Sequence, residues 1–161
     1  MNLRVSTRYA AGLAALGAVL LVSAFWHAVD RPVRAEQGDA REYASPLEVL
    51  LSPDGARLYV LCQQSGEVRV LNASSFALIK KVAVGRMPRG FSLSPDGARL
   101  FVTNAWDDTL SAIDTRALAV TATWPVGAEP SSVIEDRAGK RLFVANRISS
   151  DIAVLDAATG A

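Results

Sequence analysis

Histidine and cysteine are almost missing from this sequence: His27 and Cys62 are the only ones in 161 residues. A single cysteine closes no internal disulfide, and no C-x-x-C pair for zinc or C-x-x-C-H for covalent haem is present. Because His27 sits in an apolar N-terminal run, the rest of the chain holds no Ser-His-Asp or Cys-His nucleophilic site. It also offers no histidine to a metal or haem. Net charge is nearly missing too. The 17 basic residues face 16 acidic ones, with no cluster that would track phosphates, so nucleic acid is not an expected partner. No cofactor is expected from these residues.

One long stretch lacks charge altogether. From Tyr9 to Val29, 21 residues pass without Asp, Glu, Lys or Arg, and about 20 apolar residues suffice to cross a bilayer as a helix. Arg4 and Arg8 precede the run as an export signal requires, and Trp26 and His27 fall at interfacial positions. Residues 1–29 are therefore expected to be a signal peptide or a signal-anchor helix. Val33-Arg34-Ala35 suits a signal peptidase, whereas Asp30, Arg31 and Arg34 disfavour cleavage. An uncleaved anchor is preferred and a cleaved signal is the alternative. Residues 30–45, with Pro32, Gly38 and alternating charges, read as a polar tether. The expected location is periplasmic or otherwise extracytoplasmic, membrane-anchored or secreted.

What the sequence does contain is a repeat. Pro46, Pro88 and Pro130 are 42 residues apart, as are Gly55, Gly97 and Gly139, and Leu71, Ile113 and Leu155. Three units (46–87, 88–129 and 130–161) align without a gap. Each divides into strands, exemplified by Leu47–Leu51, Arg57–Cys62, Glu67–Asn72 and Leu78–Val84. Ser52-Pro53-Asp54-Gly55 suits a type I turn between the first two, and Gly85 is expected to free the chain to cross to the next unit. Leu58 to Leu61 is apolar on both faces, as in a strand packed between two layers. Helical solenoids of similar period are excluded because Pro or Gly interrupts every candidate helix. The expected fold is all-β: a β-propeller of four-stranded antiparallel blades, about 2.8 of them, preceded by one hydrophobic helix. Closed propellers need roughly four to eight blades. The chain is thus expected to be a fragment of a longer protein, with assembly of several chains into one ring as the alternative.

Leu100-Phe101-Val102-Thr103-Asn104, with Ser-Pro-Asp-Gly-x-x-Leu before it and Val126-Gly127 to Pro130 after it, resembles the repeat of the YVTN β-propeller family. The first repeat departs from it, with Leu61-Cys62 in place of Thr103-Asn104, and the third has Ala145-Asn146. The resemblance implies a bacterial or archaeal envelope setting. Similar propellers include haem domains of nitrite reductases, quinoprotein-type dehydrogenase subunits and gluconolactonase-like hydrolases.

Residues that recur with the period read as fold, and those that break it are candidates for function. Asn72, Asp114 and Asp156 are expected to fix a turn in each blade, Asn104 and Asn146 to bond turn backbone, and Asp107-Asp108 to bond locally in a hairpin. Cys62 is expected to be a half-buried strand-end residue. Arg86, Arg89 and Glu129 on the crossovers, with Trp106 on a hairpin turn, vary between repeats and form the candidate binding surface. Glu48, on the innermost strand of the first repeat, is a weak candidate metal or catalytic carboxylate; its equivalents are Gly90 and Ser132, so no acidic ring results. The preferred function is non-catalytic: an exported or membrane-tethered module in the cell envelope that binds a protein or small molecule. The alternative is the propeller of a periplasmic redox protein or a gluconolactonase-like hydrolase whose ligands lie in further blades.

Overall fold

The computed structural model describes residues 44–161. The expected signal or anchor segment of residues 1–29, and the tether as far as residue 43, lie outside the described residues. Eleven strands follow one another, with no helix among the described residues. The first sheet holds β1 (Pro46–Leu51), β2 (Arg57–Cys62), β3 (Glu67–Asn72) and β4 (Leu78–Ala83). The second holds β5 (Pro88–Leu93), β6 (Arg99–Asn104), β7 (Thr109–Asp114) and β8 (Ala119–Pro125). The third holds β9 (Pro130–Glu135), β10 (Arg141–Asn146) and β11 (Asp151–Asp156). Strands pair antiparallel in chain order within each sheet. β2 and β3 coincide with expectation, β1 starts one residue earlier and β4 ends one residue earlier.

Local chemistry repeats at 42-residue intervals. In the first turn Gly55 N–H donates to Ser52 O at 2.8 Å and the glycine takes φ +69; Gly97 does the same to Ser94, with φ +70. Asp54 and Asp96 each accept a backbone N–H two residues on at 3.0 Å, while the Ser52 and Ser94 hydroxyls accept from Arg57 and Arg99 N–H. In the third blade Asp136 replaces the serine and its carboxylate accepts from Lys140 N–H. Asn72, Asp114 and Asp156 each accept two N–H groups in the turn after the third strand, as expected. Left-handed backbone positions keep the period even where side chains differ: Ser45, Met87 and Glu129; Phe76, Leu118 and Gly160; Gly66, Asp108 and Ser150.

Each sheet packs face to face on the next. Tyr59, Leu61, Val68 and Val70 of the first blade meet Phe91, Leu100, Val102 and Ile113 of the second. On the second blade's other face, Phe101, Leu110 and Ala112 meet Val133, Leu142, Val144 and Leu155 of the third. Leu100 and Phe101 are consecutive, both fully buried, and belong to opposite interfaces. That is why the second strand of a blade is apolar on both faces; each such large side chain is worth about 1.5–3 kcal/mol in burial.

The innermost strands lie closest together. A Cβ at Gly90 on β5 would stand 2.5 Å from Ser131 O on β9, whereas β4 and β8 barely touch. Wedge-shaped sheets converging on their first strands are blades of a propeller. Two faces remain open among the described residues: Leu47, Val49 and Leu51 on the first blade, and Ile134, Ile152 and Val154 on the third. Cys62 is more enclosed than expected. It is completely buried beside Ala44 and Val60, with Sγ 3.8 Å from Val60 O.

Candidate functional site

Two rims bound the blades. One carries the Ser-Pro-Asp-Gly turns. The other carries the crossovers between blades and the hairpins joining second and third strands, stitched by Ala105 N–H to Met87 O at 3.1 Å and Arg147 N–H to Glu129 O at 3.0 Å.

At the first crossover the buried Asn104 accepts Gly85 N–H at 3.0 Å and donates to Thr109 Oγ1 and Ser111 Oγ. A Cβ on Gly85 would lie 2.6 Å from Asn104 Cγ and from Asp107 Oδ2. Glycine is needed there for space, not for the conformational freedom expected of it, since its φ is not left-handed. Gly127 is confined likewise, with Asn146 Nδ2 2.5 Å from the position its Cβ would take. Asn146 does not follow the expected turn-backbone pattern; its amide donates to Asp151 Oδ1 at 2.7 Å. Asn104 bonds backbone as expected, though of the crossover.

Asp107 and Asp108 do not bond locally as expected. Their hairpin tip sits between two crossovers, so one reaches back and the other forward. Asp107 accepts Arg86 N–H at 2.6 Å and Arg86 Nε at 2.5 Å, and Asp108 accepts Glu129 N–H at 2.8 Å. The Arg86 backbone N–H, then its guanidinium, hold the Asp107 carboxyl below the usual carboxylate range. Arg86 also donates to Trp106 O at 3.0 Å.

Glu129, nearly buried and with φ +55, receives two guanidiniums on Oε1. Arg89 Nη2 lies at 2.8 Å, and Arg147 Nη2 is the second donor. Arg89 belongs to β5 rather than to the crossover. It is the residue skipped in the register between Pro88 and Gly90, and such bulges re-aim a side chain. Arg86, Trp106, Asp108, Glu129 and Ile148 line an open cleft of about 470 Å³. The structure thus brings three of the four candidate surface residues around one cleft and ties the fourth, Arg89, to its floor. Glu48 stands apart, exposed on β1. Among the described residues no three His, Cys, Asp or Glu side chains converge as a metal-ligand set.

Sequence reasoning did not single out Arg147, Ile148 or Glu135. Glu135 stands where Leu51 and Leu93 stand in the other repeats, a signal open to the same symmetry argument. Its side chain is 1% exposed, Oε1 accepts from Arg99 Nη2 of the preceding blade, and Oε2 is buried without a partner. Burial pushes its carboxyl up, against the opposing pull of Arg99.

No protein-family model and no curated protein match the chain. Solved structures do match. The chain superposes on Kuenenia stuttgartiensis hydrazine synthase with a TM-score of 0.70 and 28% identity, over 78% of this chain and 36% of that one. A putative 6-phosphogluconolactonase from Bacteroides fragilis NCTC 9343 gives 0.66 and 23%, over 74% of this chain and 37% of that one. The periplasmic gluconolactonase of Pseudomonas aeruginosa also gives 0.66 and 23%, over 74% and 38%. The chain is therefore a β-propeller protein. It spans a little over a third of the length of each of these three structures.

Proposed function

We propose that this chain belongs to an exported, non-catalytic binding module of the cell envelope, built from YVTN-like repeats and tethered through its N-terminal segment. The crossover rim is its docking surface. One observation carries this reading: residues that break the 42-residue period, Arg86, Trp106 and Glu129, gather around one cleft, while the opposite rim keeps nearly the same bonds in successive blades. In the same reading further blades of the protein pack on Ile134, Ile152 and Val154; the second-blade counterparts of the last two, Leu110 and Ala112, are buried against the third blade. The experiment is a photo-crosslinking amino acid at position 106, and at position 54 on the opposite rim as control, in intact cells. Adducts from position 106 in the envelope fraction are expected. Adducts from position 54 alone, or from a cytoplasmic fraction alone, contradict the proposal.

A second reading, the propeller of a periplasmic redox enzyme or a gluconolactonase-like hydrolase, is favoured by the 28% identity to hydrazine synthase and by the two lactonase-named folds. It rests on residues in further blades, and the gene read past the codon for Ala161 separates the two. Inner-strand His, Glu and Asp or a C-x-x-C-H motif there supports the enzyme, and plain repeats support the binding module.

A further inference from the structure

We infer that the crossover rim recognises an acidic protein segment anchored by an aromatic or aliphatic residue; this rests on the docking reading above. The cleft is too open to enclose a small molecule, because two of its walls, Trp106 and Ile148, are 60% and 66% exposed. Those side chains occupy equivalent hairpin positions 42 residues apart and stand as paired apolar contacts in adjacent blades. A large flat side chain such as that of Trp106 is what protein partners anchor on, and Ile148 adds aliphatic surface beside it.

Charge is layered rather than balanced at the surface. Arg86 is 71% and Arg147 58% exposed, over Asp107 at 27% and Glu129 at 10%. Asp108 is an exposed carboxylate here, and one of its oxygens is tied to Glu129 N–H. A partner approaching the rim therefore meets the Arg86 and Arg147 guanidiniums standing over Asp107 and Glu129, with Asp108 the exposed carboxylate of the cleft lining. The partner's own carboxylates complement those two guanidiniums. Removing either exposed arginine strands no buried charge: Glu129 keeps Arg89, and Asp107 keeps the Arg86 backbone N–H.

The test is calorimetric titration of the full chain with three end-blocked heptapeptides. They alternate phenylalanine with glutamate, with glutamine or with lysine, and free glutarate serves as the small-carboxylate arm. We expect the glutamate peptide to bind at least about tenfold more tightly than the glutamine one at low salt, the gap closing in high salt. Arg86→Ala with Arg147→Ala removes that preference. Trp106→Ala weakens the glutamate peptide about tenfold or more, while Asp54→Ala on the other rim leaves it unchanged. Glutarate alone does not displace the peptide. If the glutamine or lysine peptide binds as tightly, or glutarate competes fully, the acidic-segment inference is overturned while dependence on Trp106 keeps the docking surface. If no peptide binds, or binding ignores Trp106→Ala, both fall. Unchanged thermal unfolding of each variant separates these outcomes from misfolding.

Discussion

The two rims of these blades are made by the same repeat and obey different rules. On the turn rim Ser52 and Ser94 set the same bonds 42 residues apart, and Asp136 reaches the same end with its own carboxylate. On the crossover rim the backbone is equally periodic, with Ser45, Met87 and Glu129 all left-handed, yet these three residues share no side-chain chemistry. Fold accounts for the first rim completely. It leaves the second with a tryptophan, an isoleucine and paired arginines that blade packing does not require.

If that division holds, substitutions should separate into those that break the fold and those that break only binding. The largest effect is expected at Phe101, fully buried between blades two and three. Phe101→Ala should cost about 3–5 kcal/mol in denaturant unfolding. Gly85→Ala drives a methyl into Asn104 and Asp107 and should cost about 1–3 kcal/mol. Combining it with Asn104→Ala should be non-additive, because the two share one contact.

A subtler effect belongs to Glu135. Its folded pKa is raised above its unfolded value, so folding takes up a proton in that window. The stability this contributes is present below the ordinary carboxylate pKa and is lost as pH rises through the folded one. Wild type should therefore gain stability relative to Glu135→Gln as pH falls from 7 into the carboxylate range, measured by unfolding across pH. The solvent-facing turn aspartates, Asp54 and Asp96 among them, are shifted downward by their serine and backbone bonds. The contribution of Asp54 cancels in that difference, whereas the nearby charge of Asp96 helps to raise the Glu135 carboxyl and is part of the effect. The smallest stability change is expected for Trp106→Ala, within about 0.5 kcal/mol by the same unfolding measurement, although this variant should lose partner binding.

Much of the fold was legible in the sequence because period-2 strands and their turn residues are local signals. β2 and β3 fall where Arg57–Cys62 and Glu67–Asn72 were expected, and the turn roles of Asn72, Asp114 and Asp156 follow from short-range bonding. Gly85 and Asp107 were misjudged because their roles depend on groups about 20 residues away, brought near only when the crossover folds against the hairpin. The departures at Arg86, Arg89, Trp106 and Glu129 could be seen in the alignment of repeats. That they converge on one cleft could not, because this requires knowing which loops share a rim. Glu135 was visible by the same comparison, as a carboxylate where leucines stand, and its pairing with Arg99 across two blades emerged only from packing.

The division between rims is tested most directly by amide hydrogen exchange of the chain with and without the bound glutamate–phenylalanine peptide. Protection confined to residues 85–89, 105–108, 128–130 and 147–149 is the predicted footprint. Protection centred on the turns at 52–57 and 94–99 would contradict it.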